Sequence, residues 1–168
     1  MRRTVFVAIA VLTGVLLQTT VFSEIRLLGA RPELMYLLTT LVAFYDAPEP
    51  GAITGFASGM AQDFLMNQPK GITALVLTLL GWFVGVLRPY IVSSSPYAPI
   101  FVVALATFAG QVFYGLVAFL LGQFDVSPLY LLRVAGLSAV YNGLLAPLVA
   151  PLVRRAVEAG PARGAGRW

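Results

Sequence analysis

Asp63 is the most informative ionisable residue in the apolar segments, and Arg133 is its natural candidate partner, so any chemistry begins with them. A carboxylate in the setting of Asp63 has two readings. It is an interfacial group at a helix end, or a buried group that pairs with a cation or a partner. Ionisable groups inside membrane segments face protein and pair with one another. Arg133, at a similar expected depth, is the candidate counter-charge. Catalysis has little else to draw on. The chain contains no histidine and no cysteine, which removes the commonest general base, disulfides and thiolate metal sites. Ser93, Ser94 and Ser95 lie in a loop with no base to activate them. Asp46 and Glu49 are loop residues beside Pro48 and Pro50 rather than a spaced acid–base pair. A proton relay needs several intramembrane carboxylates, and none is evident. No catalytic residue, cofactor or metal site is expected.

The second pattern is a row of glycines. Gly51, Gly55 and Gly59 recur every four residues, and Asp63 continues the row. In a helix that spacing returns to one face. The row lacks the lysine of a phosphate-binding loop. In water each interior glycine costs about 1 kcal/mol against alanine, whereas in lipid it lets another helix approach closely. Two readings stand: packing inside the bundle, or a docking groove for another protein's helix. The residues from Gly59 to Gly71 add Asp63, Asn67 and Lys70 as polar contacts beside that face. Weaker small-residue pairs recur at Ala10 and Gly14, Gly81 and Gly85, Ala106 and Gly110, and Ala139 and Gly143. Gln18, Gln111 and Asn142 are single amides suited to hydrogen bonding between helices.

The elements that carry these residues are apolar segments. The chain of 168 residues is 59% hydrophobic and 11% charged, against about 25% charged residues in soluble domains, and its mean hydropathy is +0.87. Six segments are expected, at 4–22, 32–45, 51–66, 71–87, 99–121 and 128–153, the fourth stopped by Arg88-Pro89 and the sixth by Arg154-Arg155. The first is read as an uncleaved span, because Gln18 to Ser23 offers no small-x-small cleavage site. Pro32 is placed to open the second. The second and third are short: about 15 residues reach about 22 Å, against a hydrocarbon core of about 30 Å. They form short spans or a hairpin, and either keeps the parity. Residues 157–168, rich in Gly, Ala, Pro and Arg, are expected to be a disordered cytoplasmic tail. The net charge is +4, with the basic residues mostly at the two ends. That pattern fits membrane topology and not nucleic-acid binding. Arginine-rich termini on the cytoplasmic side require an even number of crossings. Tyr36, Tyr45, Trp82, Tyr90, Tyr97, Tyr130 and Trp168 lie mostly near segment ends and suit an aromatic belt.

The run from Gly51 to Leu65, with its Gly55-Phe56 and Gly59 and then Asp63, followed by Pro69-Lys70-Gly71, resembles the MreD family of bacterial rod shape-determining proteins. Leu17-Gln18 and Pro32-Glu33-Leu34 also fit, with Glu33 where family members often carry aspartate. The specific motifs lie within about residues 17–85, and the second half matches as a hydrophobic pattern. The resemblance implies an all-α membrane protein. Its six transmembrane helices would form a compact bundle, similar in fold to the substrate-binding subunits of energy-coupling-factor transporters. It further implies a non-enzymatic inner-membrane subunit of the cell-elongation machinery. Such a subunit would bind an MreC-type single-span protein. It would help link MreB filaments to a class B penicillin-binding protein and a SEDS glycosyltransferase. The alternative from another class is a substrate-binding subunit of a vitamin transporter. That would need a converging set of polar and aromatic groups facing outward.

Overall fold

Leu34 to Tyr45 carries no charge and is apolar all round, apart from Thr39 and Thr40. A helix of that kind has no face to give to solvent and belongs at the centre of a bundle. The computed structural model describes residues 2–20, 30, 32–65, 71–91, 97–122 and 127–158, and all the regular structure described is helical. Six helices follow one another: α1 (Arg2–Thr20), α2 (Leu34–Tyr45), α3 (Pro48–Leu65), α4 (Ile72–Ile91), α5 (Ala98–Leu120) and α6 (Pro128–Glu158). Every residue of α2 from Leu34 to Phe44 is buried. α2 touches all five other helices. Those five form a ring around it in the order α1, α3, α4, α5, α6, with α6 returning to α1. Met35, Leu37 and Leu41 are fully enclosed and hold Leu77 of α4 and Val103 of α5 in one core.

Among the described residues three helices, α4, α5 and α6, are long and apolar enough to cross a membrane, while Ile9–Gln18 and Leu34–Tyr45 are apolar but shorter. At 1.5 Å per residue the 12 residues of α2 rise only about 18 Å. Pro32 and Glu33 before it are buried, and Tyr45 and Asp46 at its other end are half-buried, so the surrounding helices cover most of its short length. α3 supplies a second sign of a lipid surround. Its buried positions are Gly51, Thr54, Gly55, Ser58, Gly59, Gln62 and Asp63, all small or polar. Ile53, Phe56, Phe64 and Leu65 point outward and are more than half exposed. Water would favour the reverse arrangement, since such a row is a large exposed apolar patch. A bilayer favours this one.

The glycine row of α3 is spent inside the chain. A β-carbon on Gly51 would stand 2.6 Å from the Ala43 β-carbon and 2.6 Å from the Gly81 carbonyl oxygen. One on Gly55 would overlap the Leu77 carbonyl, and one on Gly59 the main chain of Ala74. Gly81 and Gly85 reciprocate from α4 against Gly51 and Pro48. The face read as packing or docking is therefore packing, and α4 covers it. Gly14 meets Met35 and Leu38, and Gly110 meets Tyr36 and Leu80, so those small-residue positions also serve contacts within the chain.

Several helix ends differ from the expected ones. α4 runs through Arg88-Pro89 to Ile91, because a proline in the last turn removes one hydrogen bond without ending the helix. α6 runs through Arg154-Arg155 to Glu158, where Arg154 Nε donates to Glu158 Oε1 at 2.7 Å across one turn. Only two residues, Asp46 and Ala47, connect α2 to α3. Asp46 N–H closes α2 on the Val42 carbonyl at 3.0 Å, and Arg88 Nη1 donates to the Asp46 carbonyl. Tyr36 is 3% exposed and belongs to the core, not to an aromatic belt, whereas Tyr90 is 86% exposed.

Two glycine substitutions should separate close packing from helix propensity. Gly55→Ala should lower the stability of the bundle in mixed micelles by about 1–3 kcal/mol, the usual cost of overpacking. A β-carbon on Gly136 would meet nothing within 4 Å. Gly136→Ala should therefore leave stability unchanged or raise it by about 0.5–1 kcal/mol. Equal effects at the two positions would contradict the α3–α4 contact.

Candidate functional site

Glu33 stands immediately before α2, between Pro32 and the apolar run, and is 7% exposed. A carboxylate there cannot be left to itself, so its surroundings decide whether the bundle forms. Its Oε2 accepts from Gln18 Nε2 of α1 at 2.7 Å and from Gln62 Nε2 of α3 at 3.2 Å. Its main-chain N–H donates to Asn142 Oδ1 at 3.0 Å, and its carbonyl accepts from Asn142 Nδ2 at 2.9 Å. Asn142 thus meets the N–H and the carbonyl of one residue through both ends of its amide. The same Nδ2 donates to Thr107 Oγ1 of α5 at 3.0 Å. One residue thereby ties α2 to α1, α3 and α6 directly, and to α5 through Asn142.

The remaining helix is tied by the next residue of α3. Asp63 is fully enclosed, and its Oδ2 accepts from Gly71 N–H at 2.8 Å and Ala74 N–H at 3.3 Å. These amides are among the orphan donors of the α4 N-terminus, so Asp63 caps α4 from a neighbouring helix. A carboxylate is also favoured at the positive end of the helix dipole. Gly71 reaches this geometry at φ +95°, where a side chain would be strained. Gln62 and Asp63 are adjacent, so the Glu33 cluster and the α4 cap form one polar layer through all six helices.

The layer settles where the expected residues go. Gly51, Gly55 and Gly59 face α4, and Asp63 and Gly71 meet in the cap. Asn67 and Lys70 lie outside the described residues. Asp63 and Arg133 are not brought together: Asp63 points at the start of α4, while Arg133 is exposed on α6. Similar depth did not imply a shared side of the bundle. Of the three single amides, Gln18 and Asn142 enter the layer, and Gln111 takes no part in it. Glu33, Gln62 and Thr107 were not singled out as site residues. The signal for Glu33 was a carboxylate flush against an apolar helix. For Gln62 it was a place on the glycine-bearing helix beside Asp63.

Chemically the layer is a lattice of donors and acceptors. Among the described residues no group of three or more His, Cys, Asp or Glu could hold a metal ion. The arrangement fixes helices relative to one another and carries no activated nucleophile. A family model described as rod shape-determining protein MreD matches residues 1–156, a range that includes every member of the layer. No curated protein and no solved structure matches the chain.

Asn142→Leu should cost about 2 kcal/mol, because it strands the Glu33 N–H in the interior and leaves the Glu33 carbonyl only the Leu37 N–H. Asp63→Asn should cost less than about 1 kcal/mol, since an asparagine oxygen still caps the α4 amides. Combined with Arg133→Gln, it should show a coupling below about 0.5 kcal/mol in a double-mutant cycle of unfolding. A larger coupling would show that the two charges interact after all.

Proposed function

The chain belongs to the MreD family of rod shape-determining proteins, and from that footing we propose that it works as a non-enzymatic scaffold of the cell-elongation complex. The family match over residues 1–156 carries this reading. A role in rod-shape determination follows from the family itself. The finer assignments are our own. The protein sits in the bacterial inner membrane as six segments with both termini cytoplasmic. The arginines at both ends and the even number of helices support that topology. It binds an MreC-type single-span protein. Through that protein it is linked, directly or indirectly, to the SEDS glycosyltransferase, the class B penicillin-binding protein and MreB filaments.

With the glycine face of α3 occupied by α4, a partner must meet a different surface. We assign the contact to the Asp63 end of α3. Phe64 and Leu65 are exposed there, and Asn67 and Lys70 follow in sequence as polar contacts. A rigid polar layer just inside would hold that surface in shape. Single interhelical hydrogen bonds in membranes contribute only about 0.6–2 kcal/mol, so packing of the apolar side chains carries most of the affinity. The transporter alternative gains no support from the family match.

Reporter fusions after Arg3 and after Trp168 should both read cytoplasmic, and opposite readings would overturn the six-segment topology. Depletion in a rod-shaped host should round the cells. A vitamin requirement with unchanged shape would instead revive the transporter reading. A photo-crosslinker at Phe64 should capture a single-span membrane protein, whereas one at the enclosed Ser58 should not.

A further inference from the structure

α6 turns one side to the bundle and one side away from it. Ala135, Ser138, Ala139, Asn142, Gly143 and Ala146 are buried. At about 100° per residue, Arg133 falls on the opposite side and is exposed there. Leu129, Val140 and Leu144 share that side, and each is more than half exposed. Arg133 comes five residues after Pro128, where α6 begins, about 7.5 Å along the helix. Leu129 one turn before it and Leu137 one turn after it are both apolar. A charge among apolar neighbours in a membrane helix ordinarily faces protein and pairs. This one faces away from its own bundle, and among the described residues no carboxylate forms an ion pair with it.

A second, independent feature lies beside it. Gly136, three residues on, is the adjoining position on the helix surface. A β-carbon there would meet nothing within 4 Å, whereas every other helical glycine described sits against a neighbouring helix or its connecting turn. An interior glycine weakens a helix, and no packing within the chain offsets that at Gly136. In a membrane a glycine lets a second helix approach closely. Arg133 and Gly136 thus place a forked donor next to a flat step. Further along the same side, Leu144, Leu148 and Leu152 stay exposed at four-residue spacing, which gives a straight helix an apolar surface to lie on. Lipid tails alone would call for neither the charge nor the glycine.

We propose that the first half of α6 docks a membrane helix of a partner protein, which crosses Gly136 and brings a carboxylate to Arg133. A guanidinium meets a carboxylate through two parallel N–H donors, so the pair is directional as well as strong. The charge selects the partner, and the glycine lets its helix come close enough for the pair to form. The inference rests on the scaffold reading and gives it a second surface, because α6 does not touch α3, where Phe64 stands.

A photo-crosslinker at the exposed Val140 of the full chain, in native membranes, tests it alongside the crosslinker at Phe64. Val140 should capture a membrane protein whose spanning helix carries an aspartate or glutamate near one end. Arg133→Gln should cut that capture about tenfold, the effect of stranding one member of a desolvated charge pair, and Arg133→Lys should keep part of it. An arginine in place of the partner's carboxylate should abolish capture by the wild type and restore it in Arg133→Glu. Gly136→Leu should abolish capture yet leave the unfolding temperature of the isolated chain unchanged, since the space above Gly136 is open. Capture at Val140 that survives Arg133→Gln would overturn the proposal. So would capture of lipid alone, which would give Arg133 to a phosphate headgroup. Capture at Phe64 with none at Val140 would overturn this inference and leave the scaffold reading standing, whereas capture at neither position would count against both.

Discussion

In hydrocarbon a polar group that loses its partner has no water to turn to, and the backbone of Glu33 is where this bundle meets that constraint most directly. Its N–H donates to Asn142, 109 residues away, its carbonyl accepts from the same side chain as well as from Leu37 N–H, and its carboxylate meets two glutamines from two other helices. Non-directional packing of Leu, Val and Phe cannot select one rotation of a helix over another when lipid tails are equally apolar. Directional bonds can. The layer of Gln18, Glu33, Gln62, Asp63, Thr107 and Asn142 gives each helix one azimuth and one height. Such polar specification costs stability when any member is missing.

Close packing and the polar layer divide the work between them. On α3 the glycines fix distance, since each brings the α4 backbone to where a β-carbon would stand. Gln62 and Asp63, at the end of the same helix, fix register. Propensity opposes this design, because Gly51, Gly55 and Gly59 all weaken the helix that carries them. The loss is offset by contact with the main chain of α4, which larger side chains would prevent. α5 and α6 use bulkier pairs, such as Gly115 under Leu131. There the looser fit leaves room for side chains to adjust.

Much of the architecture was legible in the residues. Apolar length marked the later helices, whereas segment two was read as a short span or half of a hairpin, and its place at the centre of the ring emerged only from the packing. The glycine row marked a close contact, although a face states what it needs and not which helix supplies it. Other features were not legible for physical reasons. Pro89 and the Arg154-Arg155 pair read as stops, yet a proline near a C-terminus and an arginine with a glutamate one turn on are both compatible with continued helix. Asp63 was matched to Arg133 by depth alone, and depth fixes height but not direction around the bundle. Glu33 lies just outside a helix, where periodicity carries no information. It was read only as a residue opening the second segment, at a position where family members often carry aspartate. Its true partners are amides in distant segments, and amides give no sign in sequence of which backbone group they will meet.

The central helix is the second to be made, and the ring around it is closed by the last. α6 supplies Asn142 and returns to α1, so neither the Glu33 peptide nor the seam beside α1 is complete until the ribosome has passed those codons. During synthesis the early helices therefore wait in the membrane as an unfinished assembly, with their main polar contact unfilled. Contacts between distant parts of a chain form late because long loops must close first. A chain cut short before α6 would keep its other apolar segments yet leave the Glu33 N–H without its Asn142 acceptor, so a truncation there removes a polar contact at the centre of the bundle and not merely one helix from its rim.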